Sequence, residues 1–491
     1  MGPENGEFVD RLELTVPGVS ATEGPVTSHR MVAPVASGGV LPGPGPFWAR
    51  ALLAVMVAGA LPVLGVWWTD TVPGSLHGLG DYLVAAGRVS GLLGAYLLLV
   101  LVALMARIPW LDNRAGSDVG TRYHRALGEY TVILLGAHAV LLVVGYGLQS
   151  GTDPMSETVS VELSYTDVLM ATAAFGLLVM VGVASARAVR RNLAYETWYF
   201  VHLYVYLAMG LAFAHEFAVG ADFAGSLRNR VLWSAAHVAV FALLVVFRFV
   251  IPLTRSVRHS LRVAQVVVEG PGAVSIYLTG RGLDRLGAES GQFLRWRFLA
   301  RGLWWESHPY SLSAPPTDRT WRITVKDLGD GSGRLGRLHP GTRVWFEGPY
   351  GAFTAQRSRS RPGRRHRSLL IAGGVGITPI RALYETLPGA GADVILIYRA
   401  SRPEDLVFWQ ELEAIARHRG FGLYPVIGSR MEHDGDPLDA RALLRLVPDT
   451  ARRHVYLCGP AGLVESTTTE LMRRECPGAA STSKRSTCRG G

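Results

Sequence analysis

Cysteine and lysine are both scarce in this sequence. Only three of the 491 residues are cysteine, at Cys458, Cys476 and Cys488, and lysine occurs only at Lys326 and Lys484. The cysteine positions have neither metal-ligand spacing nor the density of a disulfide framework. We therefore expect the half of the chain that carries them to lie in a reducing cytosol. Arginine supplies almost all of the positive charge.

Base-stacking aromatic residues are missing from the basic segments. The formal net charge is +10, a property that nucleic-acid-binding proteins share. Such proteins, however, concentrate their basic residues in a stripe interleaved with aromatic side chains. Here the arginines lie beside apolar runs or in loops, so we expect no nucleic-acid partner.

A secretory signal is also lacking at the start of the chain. Residues 1–46 are rich in Gly, Pro, Ser and Val and show no periodicity. They contain no charged start followed directly by an apolar core and a cleavage site. We predict that they form a disordered cytosolic tail.

Long apolar runs dominate the region from residue 47 to residue 253. Six runs are each near the roughly 20 residues that a helix needs to cross the hydrocarbon core of a bilayer. They are about Phe47–Trp68, Tyr82–Ala106, Tyr123–Leu148, Val168–Ala186, Trp198–Val219 and Val231–Ile251. The sequence therefore predicts an all-α six-helix transmembrane bundle surrounded by membrane lipid.

Charge alternates between the loops that connect these runs. Arginine is concentrated after the second, fourth and sixth runs, at Arg107, Arg114, Arg122, Arg125, Arg187, Arg190, Arg191, Arg255, Arg258 and Arg262. The opposite loops are mainly acidic, at Asp70, Asp81, Asp153, Glu157 and Glu162. Because arginine-rich loops stay on the cytoplasmic side, we predict a multi-pass cell-membrane protein with both termini in the cytosol.

Four histidines occupy matched depths in the third and fifth runs. His124 and His138 are 14 residues apart, and His202 and His215 are 13 apart, which corresponds to about 21 and 20 Å of helix rise. The predicted orientation places His124 and His202 in the inner leaflet and the other two in the outer leaflet. An imidazole in lipid is costly unless it is paired, hydrated or ligating. Two matched pairs therefore favour metal ligation, and bis-histidine haem is the economical candidate.

Alternatives to this ligand set stay open. The histidines could instead line a cavity or a helix contact, and His237 in the sixth run competes with His215 for the outer position. The angular spacing is also uneven, since 14 residues fall about 40° short of four turns but 13 fall about 140° short. Arg88 in the second run either meets a haem propionate or extends its charged end to the membrane interface.

From Leu261 onward, apolar and polar residues alternate over short segments. Strand-like runs are Val263–Leu278, broken at Gly270–Gly272, and then Gln292–Phe298, Trp321–Lys326 and Arg343–Phe346. They predict a small antiparallel β-barrel over residues 260–355.

One hexapeptide in this barrel has the residue types of a cofactor site. It consists of His308, Pro309, Tyr310, Ser311, Leu312 and Ser313. An aromatic ring beside hydroxyls can stack on a cofactor ring while the hydroxyls bind phosphate or ribityl oxygens. An ordinary core strand is the plain alternative.

A strand, a glycine-rich turn and a helix follow one another after residue 366. Ser368–Ala372 is a buried-strand run, Gly373–Pro379 is the turn, and the helix extends through Leu383. Glycines let the backbone approach a pyrophosphate, and the helix N-terminus supplies N–H donors. We predict an α/β nucleotide-binding domain over residues 366–475, preceded by a loose basic loop from Arg357 to Arg367.

Two later strands supply the remaining candidates. After Val394–Tyr398, Arg399 and Arg402 favour the 2′-phosphate of NADPH over the ribose hydroxyl of NADH, which stays as the alternative. The strand His454–Leu457 delivers Cys458–Gly462 to the carboxyl edge of the sheet, where ligands bind in such folds. The simple interpretation of Cys458 is a small buried residue.

Together these segments resemble the ferric reductase and NADPH oxidase superfamily. In that superfamily a six-helix haem domain is joined to a ferredoxin-reductase-like flavin and nicotinamide module, and the four histidines here are similar in spacing to its haem ligands. The resemblance covers about Phe47 to Gly462. It implies a multidomain fold of a six-helix bundle, a FAD-binding antiparallel β-barrel and an α/β NAD(P)-binding domain, with FAD, NADPH and two b-type haems as cofactors.

The resemblance also assigns roles to single residues. Tyr310 would stack on the isoalloxazine and Ser311 would bond near its ribityl chain. The segment holding the flavin pyrophosphate is similar to Lys326, Gly331 and Ser332, and the hinge between the lobes to Glu347–Gly351. The nucleotide turn matches Gly373, Gly374, Gly376, Thr378 and Pro379, and the segment beside the nicotinamide matches Cys458, Gly459 and Pro460. Tyr310 and Cys458 are therefore expected closest to the reacting rings.

The chain departs from this family at its end. Members usually finish with a short apolar strand and an aromatic residue near the flavin, whereas Pro477–Gly491 is polar and small. We expect residues 476–491 to form an atypical disordered tail, which a truncation or a changed reading frame would explain.

The function implied is electron transfer from cytosolic NADPH through FAD and both haems to a small-molecule acceptor outside. Ferric iron and molecular oxygen are both consistent with it. A different class also fits the sequence, namely a haem-binding membrane transporter or sensor with a regulatory nucleotide-binding domain.

Overall fold

The computed structural model describes residues 46–71, 74, 76–115, 117–220, 223, 225–326, 330–355, 366–428 and 438–475. The expected tails before residue 46 and after residue 475 lie outside these residues. So does most of the expected loop from Arg357 to Arg367.

Six helices in the described part are long and apolar enough to cross a membrane, which confirms the prediction from the apolar runs. They are α1 (Pro46–Asp70), α2 (Leu79–Leu104), α4 (Ser117–Ser150), α6 (Thr166–Ser185), α8 (Tyr195–Val219) and α9 (Leu227–Val245). Three short helices lie between them, α3 (Pro109–Ala115), α5 (Pro154–Ser164) and α7 (Arg187–Arg190).

The sixth membrane helix is longer than its apolar run. It continues from α9 through a π-helical turn, Val246–Val250, into α10 (Ile251–His259). The predicted sixth helix, which ended near Ile251, was therefore about two turns too short. The extension is amphipathic and charged, so composition alone marks it as a loop, but it packs against the soluble half.

The bundle is built from two close helix pairs. Glycines of α2 face α4, where a Cβ at Gly87 would lie 2.9 Å from Leu142 and one at Gly94 would lie 2.7 Å from Leu135. Small residues of this kind let helix backbones approach closely in lipid. The second pair, α6 and α8, contributes the buried residues Ala174 and Ala208 to one apolar cluster.

Six antiparallel strands form the domain that follows the bundle. They are β1 (Arg262–Gly270), β2 (Ala273–Thr279), β3 (Phe293–Phe298), β4 (His308–Ser311), β5 (Thr320–Lys326) and β6 (Val344–Tyr350). One sheet has the order β1-β2-β5 and the other β4-β3-β6. Two bridges, Arg262 to Arg343 and Leu312 to Ile323, connect them. Their inner faces share the buried rings of Trp296 and Trp321, as the alternating pattern predicts.

A parallel sheet completes the described chain. Its strands are β7 (Ser368–Gly373), β8 (Val394–Ala400), β9 (Gly422–Ile427) and β10 (His454–Cys458), in the order β10-β7-β8-β9. The helices of this half are α11 (Asp330–Leu335), α12 (Ile377–Thr386), α13 (Trp409–Arg419), α14 (Ala440–Leu446) and α15 (Ala461–Glu475). The predicted sequence of helical bundle, antiparallel β domain and α/β domain is confirmed.

The end of β6 contacts the helical bundle. Arg248 Nη1 donates to Glu347 Oε2 at 3.0 Å, and Arg255 Nη1 donates to the Gly348 carbonyl at 2.9 Å. The Phe346 amide donates to Ser256 Oγ at 3.0 Å. We call the end of the bundle that makes these contacts the barrel side, and the opposite end the far side.

Candidate functional site

His124 on α4 and His202 on α8 face each other near the barrel side. Their ring centroids are 5.9 Å apart and their planes differ by 62°. An imidazole nitrogen binds a transition metal at about 2 Å, so two rings that share one metal from opposite sides have centroids about 6 Å apart. The spacing of this barrel-side pair therefore suits two imidazoles that would hold one haem.

A backbone carbonyl orients three of the four histidines. The carbonyls of Leu101 and Gly87, both on α2, accept from Nδ1 of His124 at 3.1 Å and of His138 at 2.8 Å. The Asp167 carbonyl lies 3.3 Å from His215 Nδ1. A carbonyl can only accept, so Nδ1 carries the proton in these bonds and Nε2 keeps its lone pair for a metal.

Side chains, not a carbonyl, surround His202. Its Nδ1 lies 3.3 Å from Ser185 Oγ, and Trp198 Nε1 donates to the same oxygen at 3.2 Å. The Trp198 ring stacks on the imidazole, with centroids 5.1 Å apart, and the Arg190 guanidinium lies 4.5 Å from the centre of the Trp198 ring. Ser185 and Asp167 both belong to α6. Both histidines of α8 therefore bond to α6, although the angular spacing of these histidines along α8 is uneven.

His138 and His215 make up the far-side pair. Their competitor His237 bonds through Nδ1 to the Trp233 carbonyl of its own helix at 3.1 Å, and its ring packs 4.6 Å from that of Phe213. Arg88 follows Gly87, whose carbonyl orients His138, so this arginine lies beside the far-side pair along α2.

Glycine makes room for His138 on α2. A Cβ at Gly91 would collide with three atoms of the His138 ring. Neither Gly91 nor Gly87 was predicted from the sequence, although their spacing of four residues is a recognised signal of close helix contact in membranes.

In the β domain, Tyr310 lies on β4 opposite Leu294 of β3. The His308 ring stacks on the Tyr310 ring, with centroids 5.9 Å apart and an interplanar angle of 15°. Burial raises the pKa of the Tyr310 phenol above its usual value, so the ring stays neutral. Burial also lowers the pKa of His308, although Glu306 lies 3.2 Å from its Nε2. A neutral aromatic face of this kind suits stacking on a planar cofactor.

Ser311 and Ser313 have different surroundings. Ser311 is half-buried, whereas Ser313 is fully buried. The Ser313 hydroxyl lies 2.7 Å from Thr324 Oγ1, within the barrel. The structure therefore places Ser313 in the domain core, where its hydroxyl is already satisfied, and leaves Ser311 as the accessible hydroxyl of the motif.

A small cleft lies between the β domain and the parallel sheet. It is lined by Thr324 and Lys326 of β5, by Gly374 and Thr378 of the glycine-rich turn, and by Asp405. The structure thus brings two motifs that are distant in sequence to one cavity. Gly331 and Ser332 lie in α11, the next helix after β5.

The two turns at the carboxyl edge of the parallel sheet pack on each other. A Cβ at Gly376 would collide with the Cys458 carbonyl, and one at Gly459 would lie 3.2 Å from the Gly373 amide nitrogen. Gly374 has a φ of +53°, which glycine adopts without strain. Pro379 lies in the first turn of α12, as predicted, and Pro460 lies 3.3 Å from the position of a Cβ at Gly373. All the expected nucleotide-turn residues therefore meet at one edge.

Comparison with known proteins gives two family matches. Residues 90–213 match the ferric reductase like transmembrane component, and residues 370–469 match the oxidoreductase NAD-binding domain. The chain carries a ferric reductase-like transmembrane domain joined to an oxidoreductase NAD-binding domain. This combination is consistent with the ferric reductase and NADPH oxidase superfamily.

Individual relatives resemble the soluble half. Ferredoxin–NADP reductase B of Sorangium cellulosum is 33% identical over 31% of this chain and 65% of its own length. The NADPH oxidoreductase of Mycobacterium tuberculosis is 29% identical over 36% of this chain and 46% of its own length. Among solved structures, the cytochrome b5 reductase domain of Ulva prolifera nitrate reductase has a TM-score of 0.36 at 17% identity, covering 46% of this chain and 96% of that one. The chain thus spans less than two thirds of the length of either curated relative.

Two arginines of the NAD-binding domain have separate environments. The guanidinium of Arg399 donates to the carbonyls of Ala400, Val426 and Gly428. These bonds tie the ends of β8 and β9 together. Arg402, in contrast, has a side chain that is 68% exposed and pairs with Glu404 at 3.4 Å. Of the two, Arg402 is therefore the one available to a ligand.

Cys458 ends β10 beside the glycine-rich turn. Burial raises the pKa of its thiol to about 12. The side chain is therefore held as a neutral thiol at physiological pH. Its position supports the simple interpretation of a small buried residue that lets the two turns approach.

The described residues of the ferric reductase-like domain include facing histidines but no larger cluster of metal-binding side chains. Among the residues that the structure describes, no group of three or more His, Cys, Asp and Glu side chains is arranged to hold a metal ion. A haem needs just two axial ligands from the protein, because its macrocycle supplies the others. The histidine pairs are consistent with that requirement.

Proposed function

We propose that this protein is a transmembrane oxidoreductase that takes electrons from NADPH in the cytosol and passes them through FAD and two b-type haems to an acceptor outside. The observation that carries the proposal is the barrel-side pair, whose rings stand 5.9 Å apart at the bundle end that meets the soluble half. NADH is the alternative donor.

Three cofactors would supply the chemistry, since bound nicotinamide gives a hydride, flavin converts an electron pair into single electrons, and haem carries one electron at a time. The chain positions them. His124 and His202 would hold one haem, and His138 and His215 the other. Anchoring each Nδ1 fixes the ring orientation and would leave the Nε2 lone pair free to bind a metal.

The soluble half would bind the other two cofactors. The exposed part of the Tyr310 ring would stack on the isoalloxazine, and Ser311 with Lys326 would bind its polar chain and phosphates. The amides of the glycine-rich turn at Gly374–Gly376 and the N-terminus of α12 would hold the dinucleotide pyrophosphate. Cys458 would border the nicotinamide. Lys326 Nζ lies 4.0 Å from Asp405 Oδ1, a separation that leaves the amine available to phosphate.

Orientation follows from loop charge. Arginines flank the barrel side of the bundle, so this side and both termini would face the cytosol. The far-side loop carries Asp153, Glu157 and Glu162, with the Asp153 carboxylate capping α5 through the amides of Met155 and Ser156. This acidic segment favours a cationic acceptor such as ferric iron over molecular oxygen.

Difference spectroscopy on the full chain in lipid nanodiscs tests the haem assignment. We expect the dithionite-reduced protein to show the split bands of bis-histidine haem. His138→Ala and His215→Ala should each remove one of two haem components, whereas His237→Ala should remove neither. Protein without haem bands would contradict the proposed electron transfer.

Activity in the same nanodiscs tests the donor and the acceptor. NADPH should reduce the haems only when FAD is present. Ferric chelate reduction, measured beside a superoxide assay, identifies the acceptor. If NADPH reduces the flavin in His124→Ala protein but no haem, the proposed order of transfer holds.

A further inference from the structure

Arg107 is a half-buried guanidinium without a counter-ion of its own. It lies three residues after the end of α2, with a φ of 55°, a left-handed conformation that costs energy in a residue with a Cβ. Its guanidinium stands 5.8 Å from the centre of the Tyr350 ring. Among the residues that the structure describes, it makes no hydrogen bond and no ion pair. Five N–H donors therefore lack a protein acceptor in a half-buried position.

Other arginines surround the same place. Burial lowers the pKa of Arg107 from its ordinary value, and the nearby charges of Arg295 and Arg248 lower it further. Glu347 is the carboxylate within range, but it already accepts from Arg248 at 3.0 Å. Glu347 thus lies near more than one guanidinium. Buried like charges repel, so this arrangement is costly unless an anion joins it.

The cluster lies beside the barrel-side histidine pair. Leu101, which orients His124, precedes Arg107 by six residues, or about 9 Å of helix rise if the helix continued. Arg248 lies in the π-helical turn that follows α9. Arg295 belongs to the barrel, where it lies opposite Glu347 in the register of β3 and β6 and its Nε donates to Ser307 Oγ at 3.1 Å. The cluster therefore sits where the bundle, the barrel and the histidine pair meet.

We propose that Arg107, Arg248 and Arg295 form a binding site for an oxyanion at this junction. The proposed ligand chemistry is a carboxylate or phosphate, which matches the planar donor fork of arginine. Two sources of such a group reach this depth, namely the propionates of the barrel-side haem and the phosphate of an anionic lipid. The haem source rests on the proposed function, whereas the lipid source does not.

The anion would also join the two halves of the molecule. Arg107 and Arg248 come from the bundle and Arg295 from the barrel, so one oxyanion bound by all three bridges them. An anion bound at this site would therefore fix the position of the soluble half relative to the barrel-side histidines.

The test compares Arg107→Gln with Arg258→Gln in full-length protein. Arg258 is an exposed arginine on α10, outside the cluster. One measurement is a redox titration of the haems in nanodiscs of phosphatidylcholine. The other is the thermal stability of the protein in phosphatidylcholine against phosphatidylglycerol nanodiscs, together with the phospholipid that stays bound on purification. Arg295→Gln, placed on the barrel, probes the same site if the first variant does not fold.

Each result decides a specific point. If the anion is a haem propionate, Arg107→Gln lowers the midpoint potential of one haem component, leaves the other unchanged, and Arg258→Gln shifts neither. If it is a lipid phosphate, Arg107→Gln leaves both potentials unchanged but loses the stabilisation by phosphatidylglycerol and the bound phospholipid. Cluster variants that match wild type in both measurements overturn the site. Wild-type protein without haem would refute the proposed function, while the lipid measurement would still decide the site.

Discussion

Arg322 of the barrel makes two hydrogen bonds to one carboxylate of the NAD-binding domain, Glu411. Its Nη1 and Nη2 lie 2.7 and 3.0 Å from the two oxygens, and Arg381 Nε donates to the same carboxylate at 2.8 Å. The Arg322 side chain is only 5% exposed. This carboxylate thus connects the two lobes that border the cleft.

Glu411→Gln should therefore loosen the two lobes. The variant would leave the buried Arg322 without a charged acceptor, which costs about 1–3 kcal/mol. We expect a lower unfolding temperature for the soluble half, measured by flavin release on heating. Glu413→Gln changes an exposed glutamate of the same helix and should match wild type. Equal unfolding temperatures for Glu411→Gln and wild type would mean that the bridge adds no stability.

The same bridge predicts a pH dependence. Burial acts to raise the pKa of Glu411, but the hydrogen bonds and charge of Arg322 and Arg381 outweigh it, so the pKa lies below its ordinary value of 4.5. The stabilisation is therefore fully present above about pH 4.5 and is lost as the pH falls through the lowered pKa. Wild type should lose more stability than Glu411→Gln when unfolding is followed from pH 6 to pH 3. Parallel pH profiles would contradict this.

Gly91→Ala should displace His138. The added Cβ would occupy the space of the imidazole ring, which cannot shift without losing its bond to the Gly87 carbonyl. We expect the far-side haem component to be lost from the reduced spectrum while the barrel-side component remains. Gly176→Ala on α6, where a Cβ meets nothing within 4 Å, is the matched control. A normal spectrum for Gly91→Ala would show that His138 does not need this position.

Ser185→Ala should alter the barrel-side haem alone. The hydroxyl is the Nδ1 partner of His202, and loss of such a partner weakens metal affinity by roughly 10- to 100-fold. Electron paramagnetic resonance of the oxidised protein should show a changed signal for one of two low-spin haems. Trp198→Phe, which keeps the stacked ring but loses the N–H donor, should give a smaller change. Thr254→Ala, an exposed hydroxyl on α10, should change nothing.

Arg402→Gln should reduce the preference for NADPH. An exposed guanidinium beside the ribose position can pair with the 2′-phosphate, and its loss should raise the KM for NADPH about tenfold while leaving the KM for NADH unchanged. Arg399→Gln should lower stability without changing the NADPH to NADH ratio, because its donors are used by carbonyls. If Arg399→Gln changes the NADPH to NADH ratio instead, then Arg399 binds the 2′-phosphate and Arg402 does not. Steady-state haem or flavin reduction with each nucleotide measures the two KM values.

The sequence could predict features that side-chain chemistry displays directly. Apolar length reveals the membrane helices, and the spacing of His124 and His138 reveals two levels in one helix. The anchors of these rings could not be predicted, because Leu101 and Gly87 act through carbonyls that every residue has. Which carbonyl of α2 bonds to which histidine of α4 depends on how closely the two helices approach each other.

Other predictions differ from the structure because one type of side chain can bond to several kinds of partner. Ser313 and Arg399 have the chemistry of ligand-binding residues, yet tertiary packing directs both to internal partners, Thr324 and the carbonyls after β8 and β9. β9 itself escaped prediction because it is a half-exposed edge strand containing Pro425, and proline in such a position weakens the strand signal. Local composition cannot supply this information.

The π-helical turn at Val246–Val250 sets the angle of everything that follows it. In an α-helix each residue turns the chain by about 100°, so the wider turn rotates α10 by roughly that amount relative to an unbroken helix. Arg255 and Ser256 face β6 in this rotated setting. Removing one residue from the turn would shorten the helix by only about 1.5 Å. It would nevertheless rotate those two side chains around the helix axis. The soluble half would then have a different orientation relative to the membrane histidines.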